Sequence, residues 1–158
     1  MAEIVEETTS PVAAVAGPAY LMLFPIPIVC FIGALITDLV YIGPGGAFLL
    51  WLHFSEWLIA AGLAFGAFAA IASLVELIAA EPLRTSFLGW GHFLLFWAAM
   101  IVELFNAFVH SIDGWTAVMP TGLILSIIGA ILSVAAVATI FLVPIMWVPA
   151  REVRREAP

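Results

Sequence analysis

Four long apolar runs dominate this sequence, at about residues 20–42, 52–80, 87–110 and 121–146. An α-helix rises about 1.5 Å per residue, so ~20 apolar residues cross the ~30 Å hydrocarbon core of a bilayer. Each run is long enough for one crossing, and turn-forming or polar residues separate the runs. The sequence therefore predicts an all-α fold, an integral membrane bundle of four transmembrane helices.

The composition supports a lipid environment. Hydrophobic residues make up 65% of the chain and charged residues 9%, with a mean hydropathy of +1.23. Soluble domains carry roughly 45–50% apolar and about 25% charged residues. We expect a four-span domain over residues 18–147, between an acidic tail at 1–17 and a charged tail at 148–158. The chain has no basic patch, which excludes nucleic acid as a partner.

The arginines predict the orientation of the four spans. Arg84, Arg151, Arg154 and Arg155 all fall on one side of a four-span protein, and the two opposite loops contain no Lys or Arg. Cytoplasmic loops are enriched in these residues. We therefore expect both termini on the cytoplasmic side of the membrane.

The third run carries a polar stripe. His92, Glu103, Asn106 and His110 are joined through Phe96 and Ala99 at spacings of three and four, so they share one helix face. Ionisable groups inside a membrane are costly and turn toward protein. With polar residues from the first two runs, we predict a buried polar cluster of Asp38, Glu56, His92, Glu103 and Asn106.

Two histidines at the outer end suggest three interpretations. Spans two and three run antiparallel, so His53 and His110 should lie at similar depth. The favoured interpretation is structural, with each histidine hydrogen-bonded near the interface. The first alternative is axial ligation of a b-type haem by the two rings. A metal ion held with Glu56, Glu103 or Asp113 is less favoured, and we predict no metal site.

Small residues recur four apart in two of the runs, and this spacing lets membrane helices approach closely. The sets are Gly62, Gly66 and Ala70 in the second run, with Gly122, Ser126 and Ala130, and Gly129 and Ser133, in the fourth. They predict close packing, either within the bundle or against another subunit.

Four stretches carry a family resemblance: FPIPIVCFIGALITDLVY, WLIAAGLAFGAFAAIASLVE, HFLLFWAAMIVELFNAFVHSIDGW and LILS. In this order the chain resembles the bacterial membrane family DUF2231, over most of residues 18–143. The resemblance implies a four-helix membrane protein of unassigned function. Asp38, His92 and Asn106 match polar positions of the family. Its histidine–proline pairs before FPI are absent here, where the chain reads GPAYLMLFPIP, so a ligand held by them is not expected.

The sequence contains no nucleophile–base motif and no phosphate-binding glycine loop, so we predict no catalytic residues and no enzyme. The leading hypothesis is a non-catalytic accessory subunit of a larger respiratory or photosynthetic membrane complex, in contact with lipid and other membrane subunits. One alternative is an electron-transfer protein with haem b between His53 and His110. Another is a small transporter or proton-coupled channel that uses Glu103.

Overall fold

The computed structural model describes residues 11–44, 48–112 and 115–142. Within these ranges the elements are α1 (Pro11–Leu23), α2 (Pro25–Tyr41), α3 (Leu49–Ala79), α4 (Glu81–Thr85), α5 (Phe87–His110), a 3-10 turn (Trp115–Ala117) and α6 (Thr121–Leu142). The described residues contain no β-strand. Asp113, the first ten residues, and the carboxyl-terminal tail with Arg151, Arg154 and Arg155 lie outside the described residues.

Four segments are long and apolar enough to cross a membrane: Ala16–Tyr41, Leu49–Ala79, Phe87–His110 and Thr121–Ile140. They correspond to the four apolar runs of the sequence. This confirms the predicted all-α membrane bundle. Helix α3 packs against α1, α2 and α5, and α6 packs against α2 and α5.

The first span consists of two helices that meet at Phe24 and Pro25. The Phe24 N–H still donates to the Tyr20 carbonyl at 2.8 Å, but Pro25 has no N–H to continue the ladder. Helix α1 begins at Pro11, so the last part of the expected tail at residues 1–17 is helical. Pro25 therefore divides the first span into two helices without ending it.

The second span is a single unbroken helix of 31 residues, α3. At 1.5 Å per residue it is about 46 Å long, which exceeds the ~30 Å hydrocarbon core. One end of α3 must therefore reach the interface, or the helix must tilt. His53 and Glu56 lie in its first two turns.

The small residues predicted to pack closely do so inside the chain. A side-chain carbon on Gly62 would lie 2.5 Å from Cε1 and 2.9 Å from Cδ1 of Phe31, a ring with no exposed surface. One on Gly66 would overlap Met100, and one on Gly129 would overlap the Glu103 carboxyl. Glycine thus lets α3 approach α2 and α5, and lets α6 approach α5.

We expect Gly62→Ala to destabilise the bundle by about 1–3 kcal/mol, because the added methyl group overlaps the buried Phe31 ring. Gly91→Ala is the matched control, since open space surrounds that position on α5. It should be neutral or stabilising, because alanine favours helix by roughly 1 kcal/mol. Unfolding in mixed detergent micelles with increasing SDS, followed by circular dichroism, measures both. Equal effects of the two substitutions would contradict close packing at Gly62.

Candidate functional site

Six polar side chains with no exposed surface meet in the interior, and we call them the polar cluster. Its members are Asp38 on α2, Ser55 on α3, Glu103, Asn106 and His110 on α5, and Ser126 on α6. The cluster therefore joins all four spans. Its members from α5 follow the predicted stripe, with Phe96 and Ala99 buried on the same face.

Asp38 is the centre of the polar cluster. Ser55 Oγ donates to its Oδ1 and Ser126 Oγ donates to its Oδ2, each at 2.6 Å. His110 Nε2 lies 3.0 Å from the same Oδ1. One carboxyl group thus bonds side chains from three other helices, and these bonds replace the water that would solvate it outside the membrane.

His110 has both ring nitrogens engaged. Nδ1 lies 3.1 Å from the Asn106 carbonyl oxygen, which can only accept, so Nδ1 carries a proton. A further proton lies between Nε2 and Asp38 Oδ1. When Asp38 is ionised, the ring is doubly protonated and donates from both nitrogens, and the two groups form a fully buried ion pair.

The bond from Ser126 to Asp38 determines the direction of the remaining hydrogen bonds in the polar cluster. Because Ser126 gives its proton to Asp38, its oxygen accepts from Asn106 Nδ2 at 2.9 Å. The same amide group donates to Glu103 Oε2 at 3.0 Å. Glu103 Oε1 and Asn106 Oδ1 are buried and have no donor among the described residues. The Glu103 carboxyl instead packs directly against Gly129.

The structure places His53 and Glu56 outside the polar cluster. Their side chains are 57% and 31% exposed and bond to each other, with His53 Nδ1 3.0 Å from Glu56 Oε2. The inward face of α3 instead carries Leu52, Ser55 and Ile59. The expectation that Glu56 belongs to a buried cluster is thus corrected, because its position on the helix turns it to the outer surface.

The two candidate haem ligands lie at the same end of the bundle but face different ways. His53 lies beside Ser111 on the surface. His110, which directly precedes Ser111, points inward and has no exposed surface. Both His110 nitrogens already bond Asn106 and Asp38, so neither has a free lone pair for iron. These residues do not fit a bis-histidine haem. Among the described residues, no three His, Cys, Asp or Glu side chains group closely enough to hold a metal ion.

His92 lies at the other end of α5, away from the polar cluster. It lies eleven positions before Glu103, about 16 Å along the helix, and the buried Phe96 and Ala99 lie between them. Its Nδ1 is 2.9 Å from the Ala136 carbonyl, and its Nε2 bonds the Tyr20 hydroxyl. The predicted stripe is thus divided into two polar groups by an apolar layer.

Sequence reasoning missed three members of these groups: Ser55, Ser126 and Tyr20. Ser126 was seen only as a small packing residue. Ser55 lies seven residues before Gly62, and thus two helical turns along the face marked by Gly62 and Gly66, so extending that face backward finds it. Tyr20 comes from the start of the first span, and no spacing in the sequence pairs it with His92.

The fold agrees with the comparison to protein families. The model of the DUF2231 family, described as predicted membrane proteins, matches residues 18–144. The chain therefore belongs to this family of membrane proteins, as the resemblance in the sequence had indicated. A search of curated proteins and a search of solved structures found no match.

We expect Asp38→Asn to destabilise the bundle by about 3–5 kcal/mol, because it removes the charged partner of a fully buried pair and of two hydroxyl donors. Glu56→Gln is the matched control. It alters a carboxyl in a partly exposed pair, so its effect should stay within about 1 kcal/mol. The SDS unfolding midpoint of each variant gives the comparison. If Asp38→Asn unfolded no earlier than Glu56→Gln, Asp38 would not be the centre of the fold.

Haem added to the purified chain is expected to give the same absorption spectrum in the wild type and in His110→Ala, because both nitrogens of this ring are engaged in the protein. Spectrophotometric titration of the reduced samples measures this. A six-coordinate spectrum that disappears in both His53→Ala and His110→Ala would show instead that the rings rearrange to bind iron.

Proposed function

We propose that this protein is a non-catalytic accessory subunit of a larger membrane complex, of the respiratory or photosynthetic kind, in the inner membrane of a bacterium. The bonding of the polar cluster supports this proposal. Ser55 and Ser126 donate to Asp38, and neither donates to His110, so the cluster has no serine activated by a histidine base. Its members have no exposed surface through which a substrate could reach them.

The observation that carries the proposal is the polar pair on the outer surface of α3. His53 and Glu56 bond each other beside Trp57, which is 75% exposed. With Ala60, Ala107 and Ser111 they line a surface cavity of about 450 Å³. A neighbouring membrane subunit can supply hydrogen bonds to these side chains, which lipid tails cannot do. We name this surface, formed by His53, Glu56 and Trp57, the α3 patch.

The orientation forms part of the same proposal. Arg84 lies exposed in the connection between α3 and α5, at the opposite end of the bundle from the α3 patch. The Trp90 indole N–H donates to the Arg84 carbonyl at 2.9 Å, which places an aromatic side chain beside this connection. By the positive-inside rule this end is cytoplasmic, together with both termini. The α3 patch then lies near the outer surface of the membrane.

The two alternatives receive less support from the geometry. A haem between His53 and His110 requires a nitrogen of the His110 ring, and both of these are already bonded. A proton pathway from Glu103 to the opposite surface would have to pass the apolar layer of Phe96 and Ala99. The α3 patch, by contrast, lies on the surface of the bundle, where it is accessible to a partner.

The proposal predicts that the wild-type chain migrates within a complex far larger than its own 16.9 kDa. Membranes of the source organism are solubilised in mild detergent, separated on a native gel and probed for a tag on the chain. Replacing both His53 and Glu56 by leucine should release the chain to a low-mass position. Leucine is compatible with lipid at these sites, so the variant is expected to fold.

Ile131→Ala on α6 is the matched control, because Ile131 is 62% exposed and lies outside the α3 patch. It should leave the chain in the large complex. A wild-type chain that runs alone at low mass would contradict the accessory role. A double leucine variant that stays in the complex would show that the α3 patch is not the contact surface.

A further inference from the structure

A cavity of about 300 Å³ lies beside His92, at the Arg84 end of the bundle. Its walls are mainly apolar and include Leu21, Leu77, Phe93 and Ile140. Four side chains with polar groups also line it: Tyr20, Ser73, Glu76 and His92. Apolar walls with a few converging polar groups are typical of small-molecule sites. We call this space the head cavity.

The polar groups of the head cavity are short of hydrogen-bond donors. His92 Nδ1 lies 2.9 Å from the Ala136 carbonyl and 2.8 Å from Thr139 Oγ1, whose own proton goes to the same carbonyl. Both neighbours therefore accept, so Nδ1 carries a proton and the neutral ring has only a lone pair at Nε2. The Tyr20 hydroxyl therefore donates to Nε2 and keeps its own lone pairs. Ser73 likewise gives its proton to the Ala70 carbonyl at 2.8 Å.

Glu76 adds a carboxyl group that has no hydrogen bond to any described residue. It lies next to Gly17, where an added side-chain carbon would come within 3.1 Å of Glu76 Oε1. Tyr20, Ser73 and Glu76 therefore all have oxygen lone pairs available as acceptors around one cavity. A molecule that bears hydroxyl donors would satisfy them, and one that bears an anionic phosphate would be repelled by Glu76.

A second cavity of about 260 Å³ adjoins the head cavity and shares Leu21 and Ile140 with it. Its remaining lining residues are apolar and include Phe24, Ile28 and Val137. The two cavities together thus present acceptors at one end and hydrocarbon at the other. They match an amphipathic molecule with a small polar head and an apolar tail.

We propose that the head cavity binds a lipid-soluble molecule of the quinol class, a hydroxylated ring with a hydrocarbon tail. One ring hydroxyl donates to Glu76, and the other donates to the oxygen of Tyr20 or of Ser73. The ring packs between Phe93 and Leu77, and the tail follows the shared Leu21–Ile140 wall into the second cavity. Glu76 lies at the opposite end of α3 from Glu56, so this site is independent of the α3 patch.

The test uses the full chain in lipid nanodiscs, with radiolabelled 2-decylhydroquinone kept reduced under argon and with binding to empty nanodiscs subtracted. Saturable binding at one site per chain is expected. The dimethyl ether of the same compound has no hydroxyl donors and should bind at least about tenfold more weakly, the loss expected for one hydrogen bond to a charged group. Equal binding of the ether, or no saturable binding of the hydroquinone, would overturn the proposal.

Two variants test the geometry. Glu76→Gln keeps the size of the side chain and should weaken hydroquinone binding by about tenfold, whereas Glu56→Gln, on the same helix, should leave it unchanged. Val137→Phe fills the second cavity, and should weaken binding of the decyl compound without affecting methylhydroquinone, which has no long tail. An unchanged affinity in Glu76→Gln would show that Glu76 does not bind the hydroxylated ring. An unchanged affinity of the decyl compound in Val137→Phe would show that the tail does not enter the second cavity. Either result would contradict the proposed site.

Discussion

The arrangement of the four spans depends on the cost of placing ionisable groups in hydrocarbon. Lipid tails offer no hydrogen bonds, so Asp38 and His110 must obtain all of theirs from protein. Each bond to Asp38 also sets the rotation of another helix about its axis. Ser55 must face inward on α3, Ser126 on α6 and His110 on α5. A single carboxyl group thus determines which face each helix presents to the interior.

Close approach between the helices is the second requirement, and glycine provides it beside the polar groups. A side-chain carbon on Gly129 would overlap the Glu103 carboxyl, and one on Gly122 would lie 2.8 Å from His110 Cε1. The two glycines of α6 therefore make room for the two ionisable side chains of α5. Polar bonding and small-residue packing are thus two parts of one interface between α5 and α6.

The sequence was sufficient to predict the four spans and the inward face of α5, because hydropathy and helical spacing depend only on local order. It also predicted correctly that His53 and Glu56 share a face. It did not predict that this face is turned outward. The depth of a residue in the membrane follows from its position in the span, whereas the rotation of a helix about its axis depends on all the helices that it packs against. Asp38 was predicted to be buried, but its place at the centre of the polar cluster was not, for the same reason. Its three donors come from positions 17 to 88 residues away.

The two ends of α5 show how a structural polar group differs from a binding site. At His110 the side-chain donors meet acceptors within the chain. The two oxygens without a donor among the described residues, Glu103 Oε1 and Asn106 Oδ1, are buried, and the Glu103 carboxyl packs directly on Gly129. At His92 the protons of Tyr20 and Ser73 are already used, and the remaining acceptors line an open volume beside Glu76. Both ends carry a histidine and an acid on apolar helices. The balance of donors and acceptors around free space, more than the presence of ionisable residues, therefore distinguishes a site that can take a ligand from one that holds the fold together.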